Sequence, residues 1–245
     1  MDLTGKVSLI TGAARRVGRA IAVELADAGC DLAVHYQTST EAARDLARQI
    51  EALGRRVALV RGDLTDPETP AKMVAQTIQA LGRIDILVNN AAVFTETPLD
   101  RNDLAAWEAI FRTNVFAPAM LTRSAVPFMR SAGAGRIINL TDIHAERPIR
   151  HHDAYCASKA ALESLTRSFA RELAPQITVN AIAPGIAVFP DSCREDLRRQ
   201  LIARVPLGRQ GTPGEIAAAV RFLVTAGDYI TGQVIRIDGG RSIVP

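Results

Sequence analysis

Cysteine is scarce in this chain: Cys30, Cys156 and Cys193 are three in 245 residues, an odd number with no metal-ligand spacing. A disulfide framework and a cysteine-ligated metal are therefore not expected, and buried free thiols of a reducing compartment are. Aromatic residues make up only 4% and the arginines are scattered, so the basic, base-stacking surface of a nucleic-acid binder is missing. No apolar run approaches the ~20 residues of a membrane span, and no membrane partner is expected. The opening M-D-L-T-G-K-V-S-L-I-T-G runs straight into a strand pattern. We expect no signal peptide and a cytoplasmic protein.

Apolar residues supply 48% of the chain and the net charge is +3, which suits a core-forming protein with a small anionic ligand. Short Val/Ile/Leu runs alternate with helical patterns from end to end. Strands are predicted at Val7–Thr11, Asp31–Tyr36, Arg56–Val60, Ile84–Val88, Arg136–Leu140, Gln176–Ala181 and Gln233–Ile237. Helices are predicted at Gly18–Ala28, Thr40–Leu53, Pro67–Leu81, Leu104–Ser131 with a break near Pro118, Asp153–Ala174 and Pro213–Val224. Strands without polar alternation are covered on both faces, which means an α/β, doubly wound, seven-stranded parallel sheet with helices on both sides. Ligands bind such sheets in the crevice at the strands' carboxyl ends. No linker or repeat appears, so residues 1–245 read as a single domain. The variable loop at about 186–206 is expected to cover the substrate.

The first strand ends in T-G-A-A-R-R-V-G and passes directly into a helix, the Rossmann-type arrangement for a pyrophosphate. Gly12 permits the turn and Gly18 permits close packing of helix on strand. Arg15 and Arg16 stand between them, Arg16 where a third glycine is common, with Val17 following. The second strand ends V-H-Y-Q-T-S without the acidic residue that holds a ribose 2′-OH in NAD-binding chains. His35 and Ser39, beside Tyr36, and Arg16 can donate to a 2′-phosphate, so NADPH is the expected cofactor. Asp63 and Leu64 fall at the crevice rim after the third strand, where the carboxylate can take an adenine amino group. Asn90 and Ala91 end the fourth strand, and Phe94 follows on a loop where a flat ring could stack. Asn114, a poor helix-interior residue, calls for a backbone or water contact.

Tyr155 and Lys159 are four apart on a predicted helix and so share a face. Bringing a tyrosine from its usual value near 10 to near 7 takes roughly 4 kcal/mol, about what one ammonium at ~4 Å supplies at an effective dielectric near 20. The pair is suited to proton transfer.

With T-G-x-x-x-x-x-G, N-N-A, Asn114, Y-x-x-x-K and Pro184-Gly185 in this order, the chain resembles the short-chain dehydrogenase/reductase family from Gly5 to Gly240. The resemblance implies that Tyr155 donates the proton and that Lys159 lowers its pKa while holding the nicotinamide ribose. It also implies that Asn114 holds a water on a proton relay, that Pro184 and Gly185 contact the cofactor, and that the protein is a homotetramer. The family's common Ser, thirteen residues before the Tyr, is Asp142 here. Together with Arg16, H-Y-x-x-S at His35–Ser39 and Phe94, this resembles one branch, the pteridine and dihydromonapterin reductases. The branch implies that a pterin substrate lies against Phe94, with Arg16, Asp142, Tyr155 and Phe189 around it, and that Asp142 works with Tyr155 in protonating a ring nitrogen. Thr38 and Ala92 depart from that branch, in place of an arginine and a serine. An ionised carboxylate near Tyr155 would cancel the depression supplied by Lys159, so either Asp142 carries a proton or it faces a cationic or N–H-rich substrate. Thr141 is the alternative source of the missing hydroxyl, and with it a 3-oxoacyl thioester reductase or other carbonyl reductase. A non-catalytic NADP-sensing protein is the reading of a different class.

Overall fold

The structure is a computed structural model and describes residues 1–189 and 193–244. The chain opens with β1 (Val7–Ile10), α1 (Arg16–Asp27), β2 (Asp31–Tyr36) and α2 (Thr40–Ala52). It continues through β3 (Val57–Arg61), α3 (Thr69–Leu81) and β4 (Ile86–Asn89). A helix α4 (Leu104–Phe111) passes through a π-helical turn (Arg112–Phe116) into α5 (Ala117–Ser131). Then follow β5 (Gly135–Leu140), α6 (Asp153–Leu173), β6 (Ile177–Pro184), α7 (Glu195–Ile202), α8 (Pro213–Thr225) and β7 (Val234–Ile237).

All seven strands form one parallel sheet in the order β3-β2-β1-β4-β5-β6-β7. Side chains alternate between its faces, and each face has its own apolar layer. Ile10, Leu32, Val34, Val88 and Ile138 pack under α1, α2 and α8. Val7, Leu9, Ala33, Leu87 and Val179 pack under α3, α5 and α6. That double coverage is why the strands read as unbroken apolar runs. The order reverses between β1 and β4, and this switch point opens the crevice that positions the site.

Three features go beyond the sequence reading, and each has a local cause. The break expected near Pro118 in the helix over Leu104–Ser131 takes the form of a π turn just ahead of it, which puts Pro118 in the first turn of α5, where its missing N–H leaves no bond unmade. β6 runs three residues further than expected and carries Pro184 to the crevice. The variable segment contains α7, which has acidic residues Glu195 and Asp196 in its first turn and buries none of its residues. Its short exposed length hid it from a hydrophobic-periodicity reading. Residues 190–192 of the expected covering loop lie outside the described residues. No helix among the described residues is long and apolar enough to cross a membrane.

Candidate active site

A cleft of about 600 Å³ lies at the switch point. Its floor is the β1–α1 turn. Gly12 holds φ +62, and a Cβ there would lie 3.1 Å from the Ala91 Cα. A Cβ on Gly18 would fall on the Gly12 carbonyl oxygen and lie 2.6 Å from Asn90 Nδ2. Asn90 braces this floor. Its side-chain N–H groups donate to Thr11 O (2.9 Å) and Gly12 O (3.1 Å), while Thr11 Oγ1 accepts from the Asn90 and Ala91 backbones. Arg15 and Arg16 are exposed and line the cleft beside Val17. Arg16 sits at φ 51, a left-handed conformation that glycine adopts freely and arginine does not. The cradle that only glycine fits, the free helix N-terminus and the two guanidiniums together fit the phosphates of a dinucleotide.

The end of β2 does not play the part expected of it. His35 is buried, accepts the Gly12 N–H at Nδ1 (3.1 Å) and donates from Nε2 to Gly62 O (3.2 Å). Burial pushes it below the usual imidazole value, so the ring is neutral and both nitrogens are taken. His35 therefore has no donor left for a 2′-phosphate and acts as a strut between the two crevice turns. Tyr36 packs against the α1/α2 apolar layer. Ser39 precedes α2 and makes no side-chain cap bond. Gln37, which the sequence reading passed over, lines the cleft, as do Thr65 and Thr113. Asp63 and Leu64 stand at the rim as expected. Bonds from the Thr65 N–H (2.9 Å) and hydroxyl (2.8 Å) to Asp63 Oδ1 hold that carboxyl below the usual range, and the Gln37 side chain adds to the effect. Pro184 and Gly185 close the far end.

Tyr155 reaches the same cleft from the first turn of α6. Its hydroxyl donates to Asp142 Oδ2 at 2.7 Å. Asp142 stands two residues beyond β5, and its Oδ1 accepts the His144 N–H (2.9 Å), capping a short 3-10 turn over Ile143–Ala145. Lys159 is fully buried one turn along α6 and donates to Leu140 O at 2.7 Å. Its ammonium lies 5.7 Å from the Tyr155 ring centre. The sequence reading had Lys159 lowering the Tyr155 pKa, and the geometry reverses the sign. Burial first, and then the Asp142 carboxylate, push Tyr155 well above the usual phenol value. Desolvation brings Lys159 itself down to about 8. The cancellation expected from an ionised Asp142 is exceeded, because burial adds to the carboxylate at hydrogen-bond distance.

Asn114 lies in the π turn and spends its amide on protein. It donates to Val93 O and Ser158 Oγ, both at 3.0 Å, and accepts the Val93 N–H at 2.8 Å. One lone pair of Oδ1 is left for a water. Thr141 offers no substitute for the absent serine: its hydroxyl is buried and donates to Ile182 O (3.2 Å).

On the outer side of Tyr155, Phe94 is 54% exposed. Its ring stands edge-on to Tyr155, with centres 4.7 Å apart, and stacks on His152 at 4.3 Å. His152 is a neighbour that no sequence signal marked. Phe189 was expected to touch substrate, but its ring is 9% exposed and lies under the Arg198 guanidinium of α7, 5.1 Å from the ring centre.

A parallel sheet with this switch-point cleft and a tyrosine–lysine pair on one helix defines a Rossmann-type oxidoreductase. Residues 12–242 match the family profile described as enoyl-(acyl carrier protein) reductase. The 3-oxoacyl-(acyl-carrier-protein) reductase of Synechocystis sp. is 36% identical over 242 residues, 97% of each chain. Nodulation protein G of Azospirillum brasilense is 37% identical over 97% of this chain and 98% of its own. The crystal structure of a protein described as a short-chain alcohol dehydrogenase from Sinorhizobium meliloti 1021 superposes with a TM-score of 0.94 at 35% identity, covering 100% of this chain and 99% of that one. The chain belongs to the short-chain dehydrogenase/reductase family.

Proposed function

We propose that the chain is an NADPH-dependent reductase of a pterin or dihydropterin, with Tyr155 and Asp142 delivering the proton to a ring nitrogen. The observation that carries this reading is the 2.7 Å bond from Tyr155 Oη to Asp142 Oδ2. Arg15, Arg16 and the glycine turn would hold the phosphates, and β2 ends without a carboxylate to oppose a 2′-phosphate. NADPH, when bound, supplies the hydride. Tyr155 alone, giving up its proton beside a carboxylate, would leave two adjacent negative charges. The pair avoids this when Asp142 brings a proton of its own. Phe94 presents an exposed ring where a flat substrate can lie.

The second reading is an NADPH-dependent 3-oxoacyl thioester reductase. Similarity over the whole chain supports it better than the pterin, because the Synechocystis relative carries that name. The site supports it less well: position 142 is an acid and the Thr141 hydroxyl is turned to Ile182. Substrate choice lives in the site, not in the fold, and on that ground the pterin comes first. A homotetramer accords with the uncovered edge strand β7 and the exposed Tyr229 and Ile243 near it, since an edge strand calls for cover. Light scattering would measure it. A cytoplasmic location is proposed with it.

The deciding experiment scans NADPH oxidation against dihydrobiopterin, dihydromonapterin, dihydrofolate and a 3-oxoacyl thioester, for the native protein and for Asp142→Ser. We expect pterin turnover that drops at least about tenfold in the variant, roughly 1.4 kcal/mol of transition-state stabilisation, with NADPH affinity unchanged. Turnover of the thioester alone, or a variant that gains it without losing pterin activity, would put the second reading first.

A further inference from the structure

Two segments meet beside Tyr155: the loop that carries Phe94 and the entry to α6. Thr97 ties them together. Its N–H donates to His151 O at 2.6 Å, its hydroxyl donates to Asp153 Oδ1, and the same hydroxyl accepts the Ala154 N–H at 3.3 Å. Thr97 is buried, and it pairs with His152 in an isolated parallel bridge. Asp153 Oδ1 also takes the Ala154 N–H at 2.8 Å. One carboxylate oxygen thus links the Phe94 loop to the first turn of the helix that carries Tyr155. His151 holds φ 63, a conformation that a non-glycine residue keeps only where its surroundings over-determine it. Beside these ties stands a stack: His152 lies against Phe94, and Phe94 stands edge-on to Tyr155.

We propose that Thr97 and Asp153 are positioning residues, a clasp that holds Phe94 and His152 at a set distance from Tyr155 and so favours planar ring substrates. Neither residue touches the reacting atoms. An exposed phenylalanine on a loop would otherwise sample many orientations, and ordering it only when substrate arrives would weaken binding. A fixed ring face rewards a flat heterocycle and does little for an open chain. The clasp itself follows from the geometry. Its effect on substrate rests on the planar-substrate reading above.

The test uses Thr97→Val, which keeps the shape and removes the hydroxyl, Thr97→Ser, which restores it, and Asp153→Asn as a second variant. The first readout needs no substrate. The four histidines give few imidazole C–H signals in NMR, and His152→Gln assigns one of them. That signal should be shifted by the Phe94 ring current in the native protein and in Thr97→Ser. In Thr97→Val and Asp153→Asn it should move toward its position in Phe94→Leu. The second readout is kinetic. For whichever planar substrate is turned over, Thr97→Val should raise KM about tenfold, with kcat within about threefold and NADPH affinity unchanged. Added to Phe94→Leu it should cost nothing further, because it acts through that ring. An unmoved His152 signal in a folded Thr97→Val, or fully additive effects with Phe94→Leu, overturns the clasp. A moved signal with no planar substrate reduced upholds the clasp and overturns the pterin reading instead.

Discussion

Arg16 pays in backbone energy for its place in the phosphate turn. A left-handed conformation costs an L-residue roughly 1–2 kcal/mol, and glycine would relieve it at an entropic cost of about 0.5–1 kcal/mol. Arg16→Gly should therefore leave thermal stability level or slightly raised. A charge-assisted phosphate contact is worth about 1.5–3 kcal/mol, so the same variant should lose roughly 10- to 100-fold of its preference for NADPH over NADH. Binding titrations with both cofactors measure this, and an unchanged preference would remove Arg16 from the 2′-phosphate site. Lys159 carries a pH prediction. Its ammonium, with a pKa near 8 in the fold, is lost as pH rises through that value. A falling limb above about pH 8 is expected in kcat/KM, which reports the free enzyme. Lys159→Arg, which stays charged, should remove the limb. Stability has the opposite sign. With the folded value below the ordinary 10.5, the unfolded chain binds more protons between the two. This group's contribution is therefore lowest below pH 8 and recovers as pH rises from about 8 toward 10.5.

At the scale of elements, the π turn over Arg112–Phe116 is where the long helix adjusts to two demands. It places Pro118 in a first turn, and it directs Asn114 inward onto Val93 and Ser158. The Asn114 amide joins three elements: the helix, the loop after β4 and α6. Asn114→Ala would leave the Val93 N–H and C=O without their partner, at about 1–3 kcal/mol for each group left unsatisfied. We expect a lower Tm, faster amide exchange at Val93 and a loosened Phe94 loop. Retention of native exchange at Val93 would show that the turn does not depend on this side chain. A π turn has no sequence signature beyond an awkward asparagine and a nearby proline. Both were legible in the sequence, but the register change between them was not.

At the scale of the molecule, composition and periodicity carried the architecture because a two-faced parallel sheet leaves a strong mark. The five inner strands are covered on both sides, so the runs at Val7–Ile10, Asp31–Tyr36 and Ile86–Asn89 stand out whatever lies around them. Gly12 and Gly18 were legible for a related reason. Close backbone approach admits only one residue type, and a Cβ would collide at each. The pairing of Tyr155 with Lys159 also followed from spacing alone, since four residues on a helix define a face. Helix α7 was not read, because eight residues with apolar side chains only at Leu197, Leu201 and Ile202 are too short a pattern to stand out from a variable loop.

What only the tertiary structure decided is the state of each polar group, because that depends on partners far away in the chain. His35 reads as a ligand donor until the Gly12 N–H and Gly62 carbonyl are seen to occupy both its nitrogens. Thr141 reads as a spare hydroxyl until Ile182, from a neighbouring strand, takes it. Tyr155 and Asp142 read as partners by resemblance, but only the fold shows the phenol donating to the carboxylate at 2.7 Å, with burial raising its pKa further. His152 does not read as part of the site at all until it lies on Phe94. Residue types and local spacing dictate which elements form and which faces they bury, since burial is summed over many residues and tolerates error. Hydrogen bonds and charges act over a few ångströms between single atoms, and only the folded chain sets those distances.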